Sequence, residues 1–369
     1  MKTRLFFILI ILLTHITIRS QIANNLLTNP KAFTTFLNEK NVWGKKYLLG
    51  YSKNNLPIYA YYYNKGGSEK AMIIGGVHGS EFYGVDVANA TKKALDKMKV
   101  SSFKYKVIII PELFPDNVAK GRLNIFTENF GRKTCEVCNG LDMEPECKLC
   151  VDPNRQMPCV NEYYEIGKNL TCTSETIEIE NQILLYMTQK YDPSRIVSLH
   201  CKNDFRKNEI GIYADPRTGK DNVSLGYSDD ALLALKMAFI VKENRGVILG
   251  NFISEKYTKA KDSFKIKSVS YLNPVYPQDP PAENKGTRQI RSYENNDNKV
   301  SFGTWASSEI WDQNNKKLKK AAITVTVELP QYYSFFSEKY NEGSLRQEEL
   351  NDNTNAYVKA IVEGFLDHK

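Results

Sequence analysis

The chain has 369 residues, with 50 basic and 42 acidic side chains and a formal net charge of +8. The basic residues are scattered rather than gathered into one stripe, which argues against a nucleic-acid-binding protein. The length suits one large α/β domain, or one domain with insertions, and the sequence shows neither an internal repeat nor a second transmembrane run.

The first 20 residues have the composition of a secretory signal peptide. Lys2 and Arg4 precede the apolar run Leu5–Thr14, and a small residue ends the segment. This run is short for a membrane-spanning helix, although a retained N-terminal anchor is the alternative. We therefore predict a secreted or periplasmic protein without stable membrane insertion, whose mature part, residues 21–369, forms one catalytic domain.

The mature part alternates predicted strands and helices. Residues 21–45 indicate a helical lead-in, and residues 252–300, rich in proline and asparagine, indicate an irregular insertion beside the active-site cleft. The predicted strands are 46–52, 57–63, 71–77, 105–111, 195–200, 209–213 and 321–330, and the predicted helices are 81–97, 174–191, 229–241 and 345–365. Strand, helix and strand in this order predict a largely parallel, doubly wound sheet.

Chemistry-bearing residues follow two of these strands. The apolar run Ala71–Val77 leads to His78 and Glu81, and the run Arg195–Leu199 leads to His200. Of the four histidines in the chain, the other two lie in the leader and beside the C-terminus. Ligands of such sheets bind at the carboxyl ends of the strands, so we expect the three side chains to meet. Two histidines and a glutamate with an open fourth position form a catalytic zinc site.

This stretch resembles a block of the zinc metallocarboxypeptidase family. Gly75–Glu81 matches the family's His-x-x-Glu, and His200 follows 122 residues after His78. The block is most similar to the branch that includes murein peptide amidases and relatives of succinylglutamate desuccinylase and aspartoacylase. Matching blocks fall in the family's order between about residues 70 and 330. The resemblance implies an α/β fold with a mixed, largely parallel sheet flanked by helices.

A second block places an arginine near the scissile bond. Phe114–Asn117 resembles the family's Asn-Pro-Asp-Gly, with its first and last residues replaced. The resemblance implies that Arg122 polarises the scissile carbonyl. The segment Gly131–Thr134 is similar to the arginine context of the digestive carboxypeptidases, so Arg132 is the alternative.

Two further blocks concern the substrate and the catalytic base. Asp152-Pro-Asn-Arg155 resembles the family's Asp-x-Asn-Arg, which implies that Asn154 and Arg155 bind the terminal carboxylate of the substrate; the alternative is a surface turn. Residues 321–330 resemble the strand that carries the catalytic glutamate, here Glu328. The alternative for Glu328 is an edge-strand residue paired with a lysine.

The segment 301–311 resembles the specificity region of the digestive carboxypeptidases. An ungapped comparison places Glu309 at the pocket floor and Phe302 where those enzymes carry tyrosine. A buried carboxylate needs a positive partner, which predicts a substrate ending in lysine, arginine or diaminopimelate. The alternative is that Glu309 begins a surface turn.

Two CxxC pairs define a cysteine-rich insertion near 125–150, and a loop-rich insertion covers about 250–315. The pairs are Cys135 with Cys138 and Cys147 with Cys150. They predict a local unit held by a structural zinc ion or by disulfides, and free thiols are the third alternative. We interpret Cys201, beside His200, as a small buried residue rather than a ligand.

Together these features predict a secreted zinc-dependent carboxypeptidase acting on peptides with a free C-terminal carboxylate, murein stem peptides among them. Zinc would lower the pKa of a water, and Glu328 would take its proton and pass it to the leaving amine. An amidohydrolase of small N-acyl amino acids and a peptidase-like binding protein without catalysis are the alternatives. A third is an α/β domain with an ordinary buried histidine pair. The sequence indicates no oligomeric state.

Overall fold

The computed structural model describes residues 30–123, 152–171, 177–202, 210–226, 228–251, 259–260, 263–264, 300–331 and 343–367. The helices are α1 (Pro30–Asn38), α2 (Phe82–Lys97), α3 (Pro115–Leu123), α4 (Ile179–Tyr191), α5 (Ser228–Glu243), α6 (Phe302–Ala306) and α7 (Gly343–Lys359). The strands are β1 (Val42–Tyr51), β2 (Pro57–Asn64), β3 (Glu69–Ile74), β4 (Tyr105–Ile110), β5 (Arg195–Lys202), β6 (Gly211–Ala214), β7 (Lys259–Ala260), β8 (Ser263–Phe264), β9 (Ile310–Trp311), β10 (Lys317–Lys319) and β11 (Ile323–Pro330). Shorter helical turns cover Gly79–Glu81, Pro153–Arg155, Lys220–Asn222 and Ala360–Phe365.

Seven strands form one mixed sheet in the order β1-β2-β4-β3-β5-β11-β6. The four central strands β4, β3, β5 and β11 run parallel to one another. The outer strands pair antiparallel, β1 and β2 at one side and β6 at the other. This topology confirms the predicted α/β fold and its mixed sheet between helices.

Each face of the sheet buries its own apolar core. Successive side chains of a strand point to opposite faces. Accordingly Ile73 and Val107 pack with α2, α5 and α7 on one face. Their neighbours Met72 and Ile108 pack with α1 and α4 on the other. Because both faces are covered, the central strands consist of nearly continuous apolar runs.

Two glycines carry the chain from β3 to the predicted site. A Cβ on Gly75 would lie 2.6 Å from the carbonyl oxygen of Pro111. Gly76 has φ +68°, a left-handed conformation that favours glycine. The backbone therefore turns tightly across the end of β4 and delivers His78 to the carboxyl edge of the sheet.

The predicted helical lead-in is only partly right. Residues 30–38 form α1, but β1 already begins at Val42, so the prediction is wrong from that point. Asn41 has φ +56°, which breaks the helical path. Trp43 then donates its indole N–H to the carbonyl oxygen of Leu95 at 2.7 Å, which fixes the new strand against α2.

Two other helix boundaries differ from the sequence prediction by more than two residues. Helix α4 begins at Ile179, because Glu178 has a ψ of 146°, outside the helical range, and its backbone N–H bonds to the side chain of Gln156. Ser174, the predicted start of this helix, lies outside the described residues. Helix α7 ends at Lys359 and continues as a π-helical segment, Ala360–Phe365.

Several predicted features lie outside the described residues: the signal peptide, the cysteine-rich segment and most of the loop-rich insertion. The last part of that insertion, residues 300–315, forms α6 and β9. Among the helices that the structure describes, none has the length and apolar character needed to cross a bilayer.

Candidate metal centre

Three buried side chains meet at the carboxyl edge of the sheet. His78, Glu81 and His200 each bring one ligand atom, and these atoms lie within 4.8 Å of one another. His200 is on β5, which pairs in parallel with β3, and the turn Gly79–Glu81 places Glu81 one turn beyond His78. The structure therefore brings the three predicted ligands together, and their role as ligands stays a prediction.

The separation of the two imidazole nitrogens suits a small tetrahedral ion. Nδ1 of His78 lies 2.9 Å from one oxygen of Glu81, and Nδ1 of His200 lies 2.8 Å from the other. The two Nδ1 atoms are 3.3 Å apart. Two nitrogens held about 2.05 Å from a tetrahedral zinc ion would be separated by about 3.3 Å.

The opposite nitrogen of each imidazole has a partner of its own. Nε2 of His78 lies 2.8 Å from Oδ1 of Asp152, and Nε2 of His200 lies 3.0 Å from Oγ of Ser198. Because a carboxylate only accepts, a ring proton on Nε2 of His78 suits Asp152, and a metal ion at Nδ1 would stand where a second proton would otherwise face Glu81. Metal-binding histidines are commonly held in this way.

The buried carboxylate of Glu81 needs a positive charge beside it. Burial opposes the charge of Glu81, but the imidazoles of His78 and His200 lower the pKa of this carboxyl well below its usual value. An ionised buried carboxylate that faces the lone pair of His78 is stable only with a cation among these atoms, a proton or a metal ion. The donor set of two nitrogens and one carboxylate fits zinc.

Glu328 lies on the strand beside His200. Strands β11 and β5 pair in parallel, and Glu328 stands directly opposite His200 in their register. Val327 and Leu329 point into the core on the other face of the sheet. Glu328 is thus buried on the same face as His200, one strand spacing of roughly 5 Å away.

Arg122 follows Gly121, which packs on the turn that carries His78 and Glu81. A Cβ on Gly121 would come within 2.2 Å of the carbonyl oxygen of Gly79, so α3 packs directly on that turn. The Arg122 guanidinium donates to Oδ1 of Asp86 at 2.7 Å and covers the ring of Phe82 at 5.2 Å. The structure shows Arg122 in this ion pair, and its action on a substrate carbonyl stays a prediction.

The predicted carboxylate clamp also adjoins the centre. Asp152, which contacts His78, accepts the backbone N–H of Asn154 at 2.8 Å. The side-chain oxygen of Asn154 accepts the backbone N–H of Phe302 at 2.9 Å. Arg155 donates to the carbonyl oxygen of Asn154 at 2.9 Å. The turn is therefore attached to the metal centre through Asp152, whereas binding of a substrate carboxylate stays a prediction.

Glu309 is paired within the chain. Its carboxylate forms an ion pair with Lys317 and accepts the indole N–H of Trp311 at 2.9 Å. The positive partner that motivated a cationic substrate is therefore supplied by Lys317. The electrostatic argument for placing Glu309 at the floor of a pocket for a cationic substrate group therefore no longer holds, although Glu309 is buried.

The sequence patterns indicated no role for Asp152 or Ser198. Asp152 opens the block that contains Asn154, and Ser198 stands two residues before His200 on the same strand face, so the two-residue period could have indicated it. Cys201 points to the opposite face and is buried, as predicted. Arg132 and the two CxxC pairs lie outside the described residues, and Cys159 is disulfide-bonded.

No family model matches this chain, and no curated protein matches it. Solved structures with some likeness include carboxypeptidase A of Helicoverpa armigera, at 13% identity and a TM-score of 0.45, covering 86% of this chain and 68% of that one. Murein-tripeptide amidase of Escherichia coli O157 has 16% identity and a TM-score of 0.37, covering 88% and 93%. Bovine thrombin-activatable fibrinolysis inhibitor, solved with a tick carboxypeptidase inhibitor, has 14% identity and a TM-score of 0.42, covering 92% and 97%. These likenesses are distant.

Proposed function

We propose that this protein is a secreted zinc-dependent carboxypeptidase that hydrolyses the C-terminal amide bond of a peptide. One observation carries the proposal: Nδ1 of His78, Nδ1 of His200 and the Glu81 carboxylate converge in a buried site. The outward nitrogens of both imidazoles are held by Asp152 and Ser198.

The metal would be held by His78, Glu81 and His200. When bound there, zinc supplies Lewis acidity and lowers the pKa of a water toward about 7. With the metal bound at Nδ1 of His78, the ring proton would lie on Nε2, where Asp152 would accept it. The burial of all three ligands keeps bulk water away and strengthens the local electrostatic interactions.

The proton-transfer role falls to Glu328. Its carboxylate would take a proton from the attacking water and then deliver it to the nitrogen of the leaving amine. Its position opposite His200 in the β11–β5 register supports this role. Arg122 would donate hydrogen bonds to the carbonyl oxygen as negative charge develops there, with Arg132 as the alternative.

Substrate selection would depend on Asn154 and Arg155. A guanidinium binds a carboxylate through two parallel, charge-assisted hydrogen bonds, which favours substrates with a free C-terminus. The attachment of this turn to His78 through Asp152 supports the assignment. Secretion is supported by the composition of residues 1–20 and by the disulfide at Cys159.

The test compares a peptide that has a free C-terminal carboxylate with the same peptide amidated. We expect kcat/KM for the amidated peptide to be lower by about 10²-fold, because two charge-assisted hydrogen bonds are lost. A chelator should abolish cleavage and zinc should restore it. A murein stem peptide belongs in the same panel as a candidate substrate.

Two outcomes would contradict the proposal. Equal cleavage of the free and amidated peptides would show that no carboxylate clamp selects the substrate. Cleavage that continues in the presence of the chelator would show that the reaction needs no metal. Hydrolysis of small N-acyl amino acids, without hydrolysis of any peptide, would instead favour the amidohydrolase alternative.

A further inference from the structure

A buried amide on α4 fastens the turn that begins at Asp152. Asn181 is fully buried, and its Nδ2 donates to the carbonyl oxygen of Pro153 at 2.8 Å and to Oε1 of Gln156 at 3.1 Å. Gln156 is also buried, and its Oε1 accepts the backbone N–H of Glu178 at 3.3 Å as well. The start of α4 and the turn are thus joined by one polar cluster.

The orientation of the Asn181 amide follows from its partners. A carbonyl oxygen such as that of Pro153 can only accept, so the NH₂ group must face it. Within the described residues, Oδ1 of Asn181 has no hydrogen-bond partner. Burying an amide is costly unless it is hydrogen-bonded, so these two bonds are the favourable interactions that offset the burial of Asn181.

The fastened turn leads directly to the metal centre. Asp152 accepts the backbone N–H of Asn154 at 2.8 Å and lies 2.8 Å from Nε2 of His78. On the other side of the turn, Asn154 accepts the backbone N–H of Phe302 at the start of α6. The segment that carries Asp152 is therefore held between α4 and α6.

We propose that Asn181 is a positioning residue for the metal centre. By fixing the carbonyl of Pro153, it sets the position of the Asp152 carboxylate and through it the direction of Nδ1 of His78. Partners of metal ligands affect metal affinity because they orient the ligand and fix its tautomer. This inference rests on the proposed zinc site.

The same helix offers a matched control. Gln189 is a second buried amide of α4, and it forms two hydrogen bonds with the backbone of Tyr164. Its Oε1 accepts the N–H of Tyr164 at 2.7 Å, and its Nε2 donates to the carbonyl oxygen of Tyr164 at 3.0 Å. Its chemistry resembles that of Asn181, but it fastens a different loop. Substituting Gln189 should therefore change stability without changing metal affinity.

The experiment measures zinc affinity of the full mature chain by competition with a chromophoric chelator. We expect Asn181→Ala to bind zinc about 10-fold more weakly, the lower end of the effect of removing a ligand's partner. We expect Gln189→Ala to match the wild type. The absorption spectrum of the cobalt-substituted protein should change in Asn181→Ala and not in Gln189→Ala.

A double-mutant cycle decides whether Asn181 acts through Asp152. In an Asp152→Ala background, adding Asn181→Ala should cause no further loss of affinity. Should Asn181→Ala fail to fold, Gln156→Met removes one acceptor of the same cluster and should weaken zinc binding in the same direction.

The outcomes separate this inference from the proposed function. A wild type that binds no zinc at His78, Glu81 and His200 would end the proposed function itself. A wild type that binds zinc, with Asn181→Ala equal to it, would overturn the inference alone. The inference also fails if Asn181→Ala and Gln189→Ala lose affinity equally, or if the loss persists in the Asp152→Ala background.

Discussion

At the residue scale, Glu328 separates metal binding from catalysis. It stands opposite His200 on the neighbouring strand and on the same face of the sheet, while the three expected ligands come from other positions. Glu328→Gln should keep its zinc and lose turnover by about 10²–10⁴-fold, the usual effect of losing a general base. Metal analysis and kcat on the same preparation check this. A kcat near that of the wild type would show that Glu328 is not the general base.

The expected ligands could be predicted from the sequence because they follow recognisable local patterns. His78 and His200 end apolar, strand-like runs, and such runs end at one edge of a parallel sheet. The sequence indicated no role for Asp152, whose contact with His78 joins residues 74 positions apart. It also missed the pairing of Glu309 with Lys317, which forms only when β9 and β10 pair. Such contacts depend on tertiary packing, which a strand-end pattern does not carry.

At the element scale, the C-terminus of α6 contacts the buried ammonium group of Lys319. Lys319 is fully buried, and its Nζ donates to the carbonyl oxygens of Ala306 at 2.7 Å and Ser308 at 2.6 Å. A cation at the C-terminus of a helix satisfies carbonyls that have no partner within the helix. Lys319 therefore ties β10 to the end of α6, whose first residue holds Asn154.

This lysine predicts a pH dependence of stability. Burial lowers the pKa of Lys319 from 10.5 to about 7. Above pH 7 the folded chain releases a proton that the unfolded chain keeps up to about pH 10.5, so this group makes stability rise with pH in that window. Relative to Lys319→Met, the wild type should gain on the order of 2 kcal/mol in unfolding free energy between pH 7 and 9.

Urea unfolding of both proteins at pH 6, 7, 8 and 9 measures this difference. A difference that stays flat over the range would mean that the carbonyl oxygens of Ala306 and Ser308 keep the ammonium charged throughout. The intercept at pH 6 reports the other contributions of Lys319, and only the slope tests the prediction.

At the scale of the whole molecule, the parallel centre of the sheet unites distant residues. Strands β3, β5 and β11 lie side by side, so residues near 78, 200 and 328 share one edge. The alternation of strands and helices predicted parallel pairing, and the structure confirms it. The strand order and the opposition of Glu328 to His200 could not be predicted from the sequence, because they are set by packing between distant segments. Local breaks, such as the φ of +56° at Asn41, also limited how well the helix boundaries could be predicted from the sequence.

The most direct test of the metal centre is the zinc content of the mature protein beside that of His200→Ala. The proposed centre uses His200 as one of three ligands, so the variant should hold one zinc ion fewer per chain than the wild type. Its circular dichroism should remain that of a folded protein, because His200 belongs to neither apolar core. Counting the loss relative to the wild type keeps any zinc at the cysteine pairs from affecting the result. An unchanged zinc content in folded His200→Ala would contradict the metal centre, and with it the proposed function.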